Sequence, residues 1–384
     1  MDRRNFIRIS AASLAGLALG TGHTTAEAAG KKKRARKPDG RYNLILLGDT
    51  HYDTAPDTVY HTGYSDPNPT RDAAHRKEFG RNADMWSDRS LRLVKRAGRL
   101  VDDRTAFAIQ SGDLIQGDTG SASVHKMMLD DALGVLKESF GTLPLLTVMG
   151  NHDMRGLSDE VSRQAYLEFM PERLSKETGE KITDMTFAKW VGPDVFIFIE
   201  FNRPDDALID KILDETAGAR YTFIVLHCPV FPYDSTKYFN WILHGRDNKT
   251  EARRHFIKRF AQRNAIVICG HSHTTELTDW TSEDGRITQM TINSVWSKPE
   301  LGTYDVDAKG ADEYGILRIK SAEKEGKKVP QSEIDWFDEY RPGLKRYTHS
   351  PAAGSYKLNV DEKGVTVDFY AGDSETVSET FKLR

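Results

Sequence analysis

Five short blocks in this chain hold residues that bind metal ions: Asp49-Thr50-His51, Gly112-Asp113, Gly150-Asn151-His152-Asp153, His227 and Gly270-His271-Ser272-His273. They supply carboxylate, amide oxygen and imidazole, and none needs a thiolate. Such a mixture suits a pair of divalent or trivalent ions better than a structural zinc site, which favours cysteine. Each block except His227 contains or follows a glycine, and each stands just after a run of β-forming residues.

Those runs set the expected scaffold. Residues 42–47, 105–110, 143–149, 195–201, 221–226 and 265–269 are continuous apolar stretches of strand length, the pattern of strands buried on both faces. Helical spacing of apolar residues marks 84–101, 123–139, 206–215 and 250–262. Alternating strands and helices predict an α/β domain with largely parallel strands. In such sheets ligands gather at the carboxyl ends of strands, where every block lies. If the chain stays extended there, residues i and i+2 point to one side, so Asp49/His51 and His271/His273 would each offer two ligands to one pocket. Residues 52–83 and 231–248 are expected as long loops, and their aromatic content leans toward substrate contact. In the tail, 287–295, 314–319, 354–359 and 364–370 alternate like antiparallel strands, with a hairpin turn at Asp361-Glu362-Lys363-Gly364.

The order Asp-x-His, Gly-Asp, Gly-Asn-His-Asp, His, Gly-His-x-His resembles the calcineurin-like metallophosphoesterase family over roughly residues 42–300. The resemblance implies a four-layer α/β/β/α sandwich of two mixed sheets flanked by helices, with a dinuclear metal site between strand ends. It implies that Asp49, His51 and His273 bind one ion, that Asn151, His227 and His271 bind the other, and that Asp113 bridges them. His152 would face the substrate and Asp153 would orient it. Elementary chemistry agrees with these roles. Two cations about 3.5–4 Å apart neutralise a phosphate ester, clamp the attacking and leaving oxygens, and lower the pKa of bound water, so a bridging hydroxide attacks. A carboxylate such as Asp113 can bridge, and Asn151 adds an oxygen without a charge. His152 titrates near neutrality and suits a general acid.

The implied function is cleavage of small phosphate monoesters or diesters, with iron, manganese or zinc. Purple acid phosphatases are set aside because they carry Tyr three residues after the bridging Asp, where this chain has Gln116. An alternative is a non-catalytic envelope protein that binds metal or ligand on the same scaffold. Arg155, His61, Trp241 and His244 are candidate substrate contacts, and His125 is expected on a helix surface. Cys228 and Cys269 read as small buried apolar residues, with pairing the alternative.

The first 28 residues read as an address. Arg3 and Arg4 precede the apolar stretch 9–20, and Ala26-Glu27-Ala28 has the form of a cleavage site. The segment resembles a twin-arginine export signal, read by the twin-arginine machinery, although Asp2 stands where Ser or Thr is usual; an ordinary secretory signal is the alternative. Periplasmic or extracellular localisation follows. Residues 29–40 read as a basic linker, solvated or touching an anionic envelope surface, 41–300 as the catalytic domain, and 301–384 as a β-rich extension completing the second sheet. No apolar run is long enough to span a membrane. Of the net charge of −3, residues 1–28 carry +1 and 29–37 carry +6, so the rest carries −10. An acidic body is a poor partner for duplex nucleic acid.

Overall fold

The computed structural model describes residues 40–54, 59–235, 241–245, 249–295 and 303–384. The segment expected to be an export signal and most of the expected linker lie outside those residues, as does Tyr238 of the second expected loop. Residues Pro38–Arg384 form one compact unit.

Two mixed sheets stack at its centre. The first comprises six strands, ordered β14-β13-β12-β1-β2-β3: β1 (Tyr42–Leu47), β2 (Thr105–Gln110), β3 (Leu145–Thr147), β12 (Gly354–Asp361), β13 (Gly364–Ala371) and β14 (Glu379–Lys382). The second comprises eight, ordered β10-β11-β8-β9-β7-β6-β5-β4: β4 (Phe187–Val191), β5 (Asp194–Phe198), β6 (Thr222–Val225), β7 (Ile266–Cys269), β8 (Thr275–Ser282), β9 (Gly285–Thr291), β10 (Ala308–Lys309) and β11 (Leu344–Ser350). β1, β2 and β3 run parallel, as do β5, β6, β7 and β9. Antiparallel strands flank both runs.

Strand alternation explains the layering. In and around β5, Phe196 and Phe198 enter the core shared with the first sheet, whereas Val195, Ile197 and Ile199 face the opposite apolar cluster. The first core also takes Leu93, Val94 and Ala97 of α2 (Leu91–Gly98), Met128, Leu129 and Leu136 of α3 (Ala122–Phe140), and Tyr166 and Met170 of α4 (Asp159–Thr178). The second takes Ile209 of α5 (Asp206–Glu215) and Phe256 and Phe260 of α6 (Thr250–Gln262). The layers are therefore helices, sheet, sheet, helices. Each Phe, Leu or Ile so buried contributes roughly 1.5–3 kcal/mol relative to exposure.

Three expectations need correction. Much of 52–83 is helix: α1 (Pro69–Met85) is started by Asn68, whose side chain accepts from the amides of Thr70 and Arg71, with Pro69 in its first turn. It buries only Phe79, Asn82 and Ala83, so its apolar face is too narrow to show in the sequence. A π-helical turn, Trp86–Ser90, joins it to α2. Residues 314–319 are not a strand. α7 (Ile316–Lys324) begins after Gly315, whose φ is +85°, and the distant Asp234 carboxylate accepts from the amides of Leu317 and Arg318. Finally, the tail extends both sheets. β10 and β11 join the second, but β12, β13 and β14 join the first beside β1, and α7 and α8 (Gln331–Tyr340) lie between them in sequence. The 361–364 turn does connect β12 to β13 as expected.

Candidate active site

All five blocks follow parallel strands at their carboxyl ends: β1, β2, β3, β6 and β7. The backbone there is bent rather than extended. His51, Asp113, His271 and His273 have φ of +42°, +51°, +69° and +54°, a region that non-glycine residues rarely occupy and that stores about 1–3 kcal/mol each. The pairs Asp49/His51 and His271/His273 thus reach the pocket through left-handed turns, not through the extended chain that i, i+2 spacing suggests. The glycines allow close approach. A Cβ on Gly112, itself at φ +95°, would lie 2.6 Å from the His227 ring, and one on Gly270 would lie 2.3 Å from Asp49 Oδ1.

The donors converge at two points. His273 Nε2 is 3.1 Å from Asp49 Oδ2 and 3.1 Å from His51 Nε2. His227 Nε2 is 3.1 Å from Asn151 Oδ1, 3.2 Å from His271 Nδ1 and 3.4 Å from Asp113 Oδ2. Asp113 Oδ2 is also 3.8 Å from His51 Nε2, so it stands between the two groups. The Nδ1–H of His227 donates to the Ser111 carbonyl at 2.9 Å, which in the neutral ring leaves the Nε2 lone pair facing three other donor atoms. One proton satisfies one such contact, whereas a cation satisfies all of them. Burial depresses the His227 imidazole, but the Asp113 and Asp49 carboxylates outweigh it and push it up to about 9; positive charge is favoured at this point. Burial favours a neutral Asp113, yet the His227 imidazole holds its carboxyl well below the usual range. Burial pushes His51 down to about 4 and His271 down to about 3, so their lone pairs are available. The set fits metal ions.

Cys228 brings its sulfur within 4.8 Å of donors on His227 and His271, a neighbour the sequence reading did not assign. Both cysteines are buried, and no disulfide joins them.

His152 lies beside this set, its ring centroid 4.4 Å from that of His51. Its amide donates to Asp113 Oδ1 at 2.7 Å. Its Nδ1 is 3.1 Å from the Gln116 carbonyl and 2.9 Å from Arg155 Nη1. The same Nη1 stands 3.0 Å from its Nε2. Burial first, then the Arg155 cation, push the His152 imidazole well below its ordinary value.

Asp153 does not touch the His152 ring. Its carboxylate accepts from the amides of Gly150 at 2.8 Å and Ile115 at 3.1 Å. It shapes the loop that carries Asn151 and His152. His125 is fully buried rather than on a helix surface; its Nε2 is 2.8 Å from the Asp153 carbonyl.

The four candidate substrate contacts divide. Trp241 borders the site, its ring 5.5 Å from that of His271. Arg155 reaches His152, but Asp118 holds it at 3.1 and 2.6 Å and Glu78 of α1 holds it at 3.0 Å. His61 is a structural residue: it is buried against Phe79 at 3.9 Å, with Asp53 Oδ2 and the Asp118 carbonyl each 3.0 Å from its ring nitrogens. His244 is buried over Phe256 of α6, with its Nε2 3.0 Å from Asp206. Both were expected at the pocket because they lie in aromatic loops.

Residues without a motif complete the site. Ser111 orients His227, and Tyr233 packs its ring 5.7 Å from that of His271. Gln116 supplies its carbonyl to His152, while its side chain turns to Asp118 and to Asn82 of α1. Asp118 alone carried a local signal, since it follows Gly117 in the strand-end loop after Asp113.

A family model described as Calcineurin-like phosphoesterase matches residues 42–275, from β1 through the last metal block. The chain belongs to that family. Among curated proteins, this calcineurin-like phosphoesterase is 26% identical over 176 residues to "Probable inactive purple acid phosphatase 14" of Arabidopsis thaliana, a match that spans 45% of this chain and 39% of that relative. Its fold is similar to that in "Structure of PhoD", with a TM-score of 0.51 at 11% identity, covering 89% of this chain and 68% of that one. A dimetal phosphatase from Danio rerio aligns at a TM-score of 0.48 and 12% identity over 90% of this chain and 100% of that one. Family membership supports a metal-dependent phosphoester hydrolase. Among the described residues, no helix is long and apolar enough to cross a membrane.

Proposed function

We propose that the chain is an exported hydrolase of small phosphate monoesters or diesters, working with two ions of iron, manganese or zinc. The observation that carries this reading is the convergence of N and O donors on either side of Asp113 Oδ2, with His152 at their edge. Asp49, His51 and His273 would hold one ion and Asn151, His227 and His271 the other, with Asp113 within reach of both. When bound, the ions supply the positive charge that draws in the ester and an activated water for attack.

The chain's own groups supply the rest. Ser111 fixes the His227 tautomer, so that Nε2 points inward. In the free site His152 is neutral and its Nε2 faces Arg155. An arriving phosphate brings negative charge that raises the proton affinity of His152. Its oxygens also compete for Arg155 Nη1, which frees Nε2 to carry a proton to the leaving oxygen. Trp241 and Tyr233 wall the His271 side and bear on the alcohol portion of the ester.

A panel of nitrophenyl monoesters and diesters, nucleotides, phospholipid head groups and sugar phosphates, assayed with each metal, tests the reading. We expect turnover that follows two bound equivalents of metal. The alternative, a binding protein on the same scaffold, draws support from the word "inactive" in the name of the Arabidopsis relative; full metal loading without turnover of any ester would favour it. Export through the twin-arginine signal belongs to the same proposal, with a periplasmic or extracellular destination. Substituting Arg3→Lys and Arg4→Lys together should leave the protein in the cytoplasm.

A further inference from the structure

The opposite edge of the sandwich carries a second concentration of charge. A cavity of about 300 Å³ opens at the amino end of β1, between the β12–β13 hairpin and the ends of β2 and β14. Arg41, Arg104, Lys363, Lys382 and Arg384 line it, with Asp361 as the acidic side chain among its walls. From Arg41 to Asp49 is eight residues, so along β1 the cavity lies roughly 25 Å from the metal donors, at about 3.3 Å per residue.

Among the described residues, no carboxylate pairs with the side chains of Arg104, Lys363 or Lys382. Asp361 is committed to the hairpin turn, where its Oδ1 accepts from the amides of Lys363 at 2.7 Å and Gly364 at 3.1 Å. Burial, then the neighbouring Arg286 guanidinium, lower Arg384 to about 10, against the pull of the Asp279 carboxylate, which pairs with Arg286 and Arg346. The Nη2 of Arg384 donates to the carbonyls of Asn264 and Ala265 at 2.6 and 2.8 Å, which anchors it at the cavity wall. All this sits on a body whose net charge is −10. Like charges gathered on an acidic protein repel one another and lower stability unless something anionic offsets them.

We propose that this cavity binds a phosphate-bearing anion of two or more negative charges, through Arg104, Lys363 and Lys382, at a site separate from the metal centre. The ligand is either a soluble oligophosphate or the headgroup of an anionic lipid; both present the same oxygens to the same side chains. The inference does not rest on the hydrolase reading.

Tripolyphosphate and vesicles of phosphatidylglycerol or phosphatidylcholine serve as probes of the full-length, metal-loaded protein at low salt. Hydrogen exchange locates the ligand. We expect tripolyphosphate to protect residues 40–43 and 359–366. A triple variant, Arg104→Gln, Lys363→Gln and Lys382→Gln, should lose that protection and bind at least about tenfold more weakly, with ester turnover unchanged and the melting temperature no lower than that of the wild type. If phosphatidylglycerol vesicles, but not phosphatidylcholine vesicles, bind and compete with tripolyphosphate, the headgroup is the ligand; tripolyphosphate binding without vesicle binding assigns a soluble one. Protection confined to the metal blocks, no protection at all, or undiminished binding by the triple variant would overturn the proposal.

Discussion

Two long insertions leave strand ends that carry metal donors, one after β1 and one after β6, and they fold in different ways. The first turns inward. Tyr60 and Tyr64 are buried, Tyr60 bonded to Asp131 and Tyr64 to His75, and α1 sends Glu78 to Arg155. Its aromatic residues are mortar, and its functional reach is the ion-pair chain Glu78–Arg155–Asp118 beside His152. The second brings Tyr233 and Trp241 to the face of His271. Its base is tied down through Asp234, whose amide donates to Glu276 and whose carboxylate starts α7. Similar composition therefore serves positioning on one side and enclosure on the other, and only long-range partners distinguish them.

That division is breakable by experiment. On the first side, His152→Ala should cost about 10²–10⁴ in kcat, the most for poor leaving groups, as measured across a series of leaving-group pKa values. A uniform loss across the series would mean that His152 binds substrate and does not protonate it. Arg155→Ala should cost roughly 10–100-fold through the misplacement of His152, and Asp118→Asn less. Both should shift the pH profile of kcat, a readout that loss of fold alone would not move.

The second side offers a pH test. Burial raises the Glu276 carboxyl from 4.5 to about 7. Between those values the folded state holds a proton that the unfolded state has released, so stability falls as pH rises from about 4.5 to 7 and is level above. The span is roughly 2–4 kcal/mol. Glu276→Gln should flatten that slope in denaturant melts at pH 5, 6, 7 and 8; a slope unchanged in the variant would place the titration elsewhere. The smallest effects separate the loops directly. Trp241→Ala should raise KM a few-fold for esters with bulky alcohols and leave stability nearly unchanged. Tyr60→Phe should leave KM alone and cost about 1 kcal/mol of stability for its lost bond to Asp131. The reverse pattern would exchange the roles assigned to the two insertions.

Much of this was legible in the sequence, for identifiable reasons. Strands buried on both faces read as unbroken apolar runs, and the glycines at strand ends mark where the backbone must bend or be approached closely, so the donors of Asp49 through His273 could be placed. What escaped depends on distant partners. α7 looked like a strand because its cap, Asp234, lies more than eighty positions away. The alternation of the tail showed strands but not that β12 would pair with β1. Asp153 was assigned to His152 by adjacency, whereas its oxygens hold the amides of Gly150 and Ile115. His61 and His244 looked available because no local pattern reveals Asp53 or Asp206 as partners.

The shared carboxylate is the most exposed point of the account. Metal content and ester turnover, measured on the same preparations of wild type and Asp113→Asn, test it together. The account predicts two equivalents of metal in the wild type, and in the variant the loss of at least one, with turnover reduced by about 10³-fold or more. An Asp113→Asn protein that retained two equivalents and full turnover would contradict it.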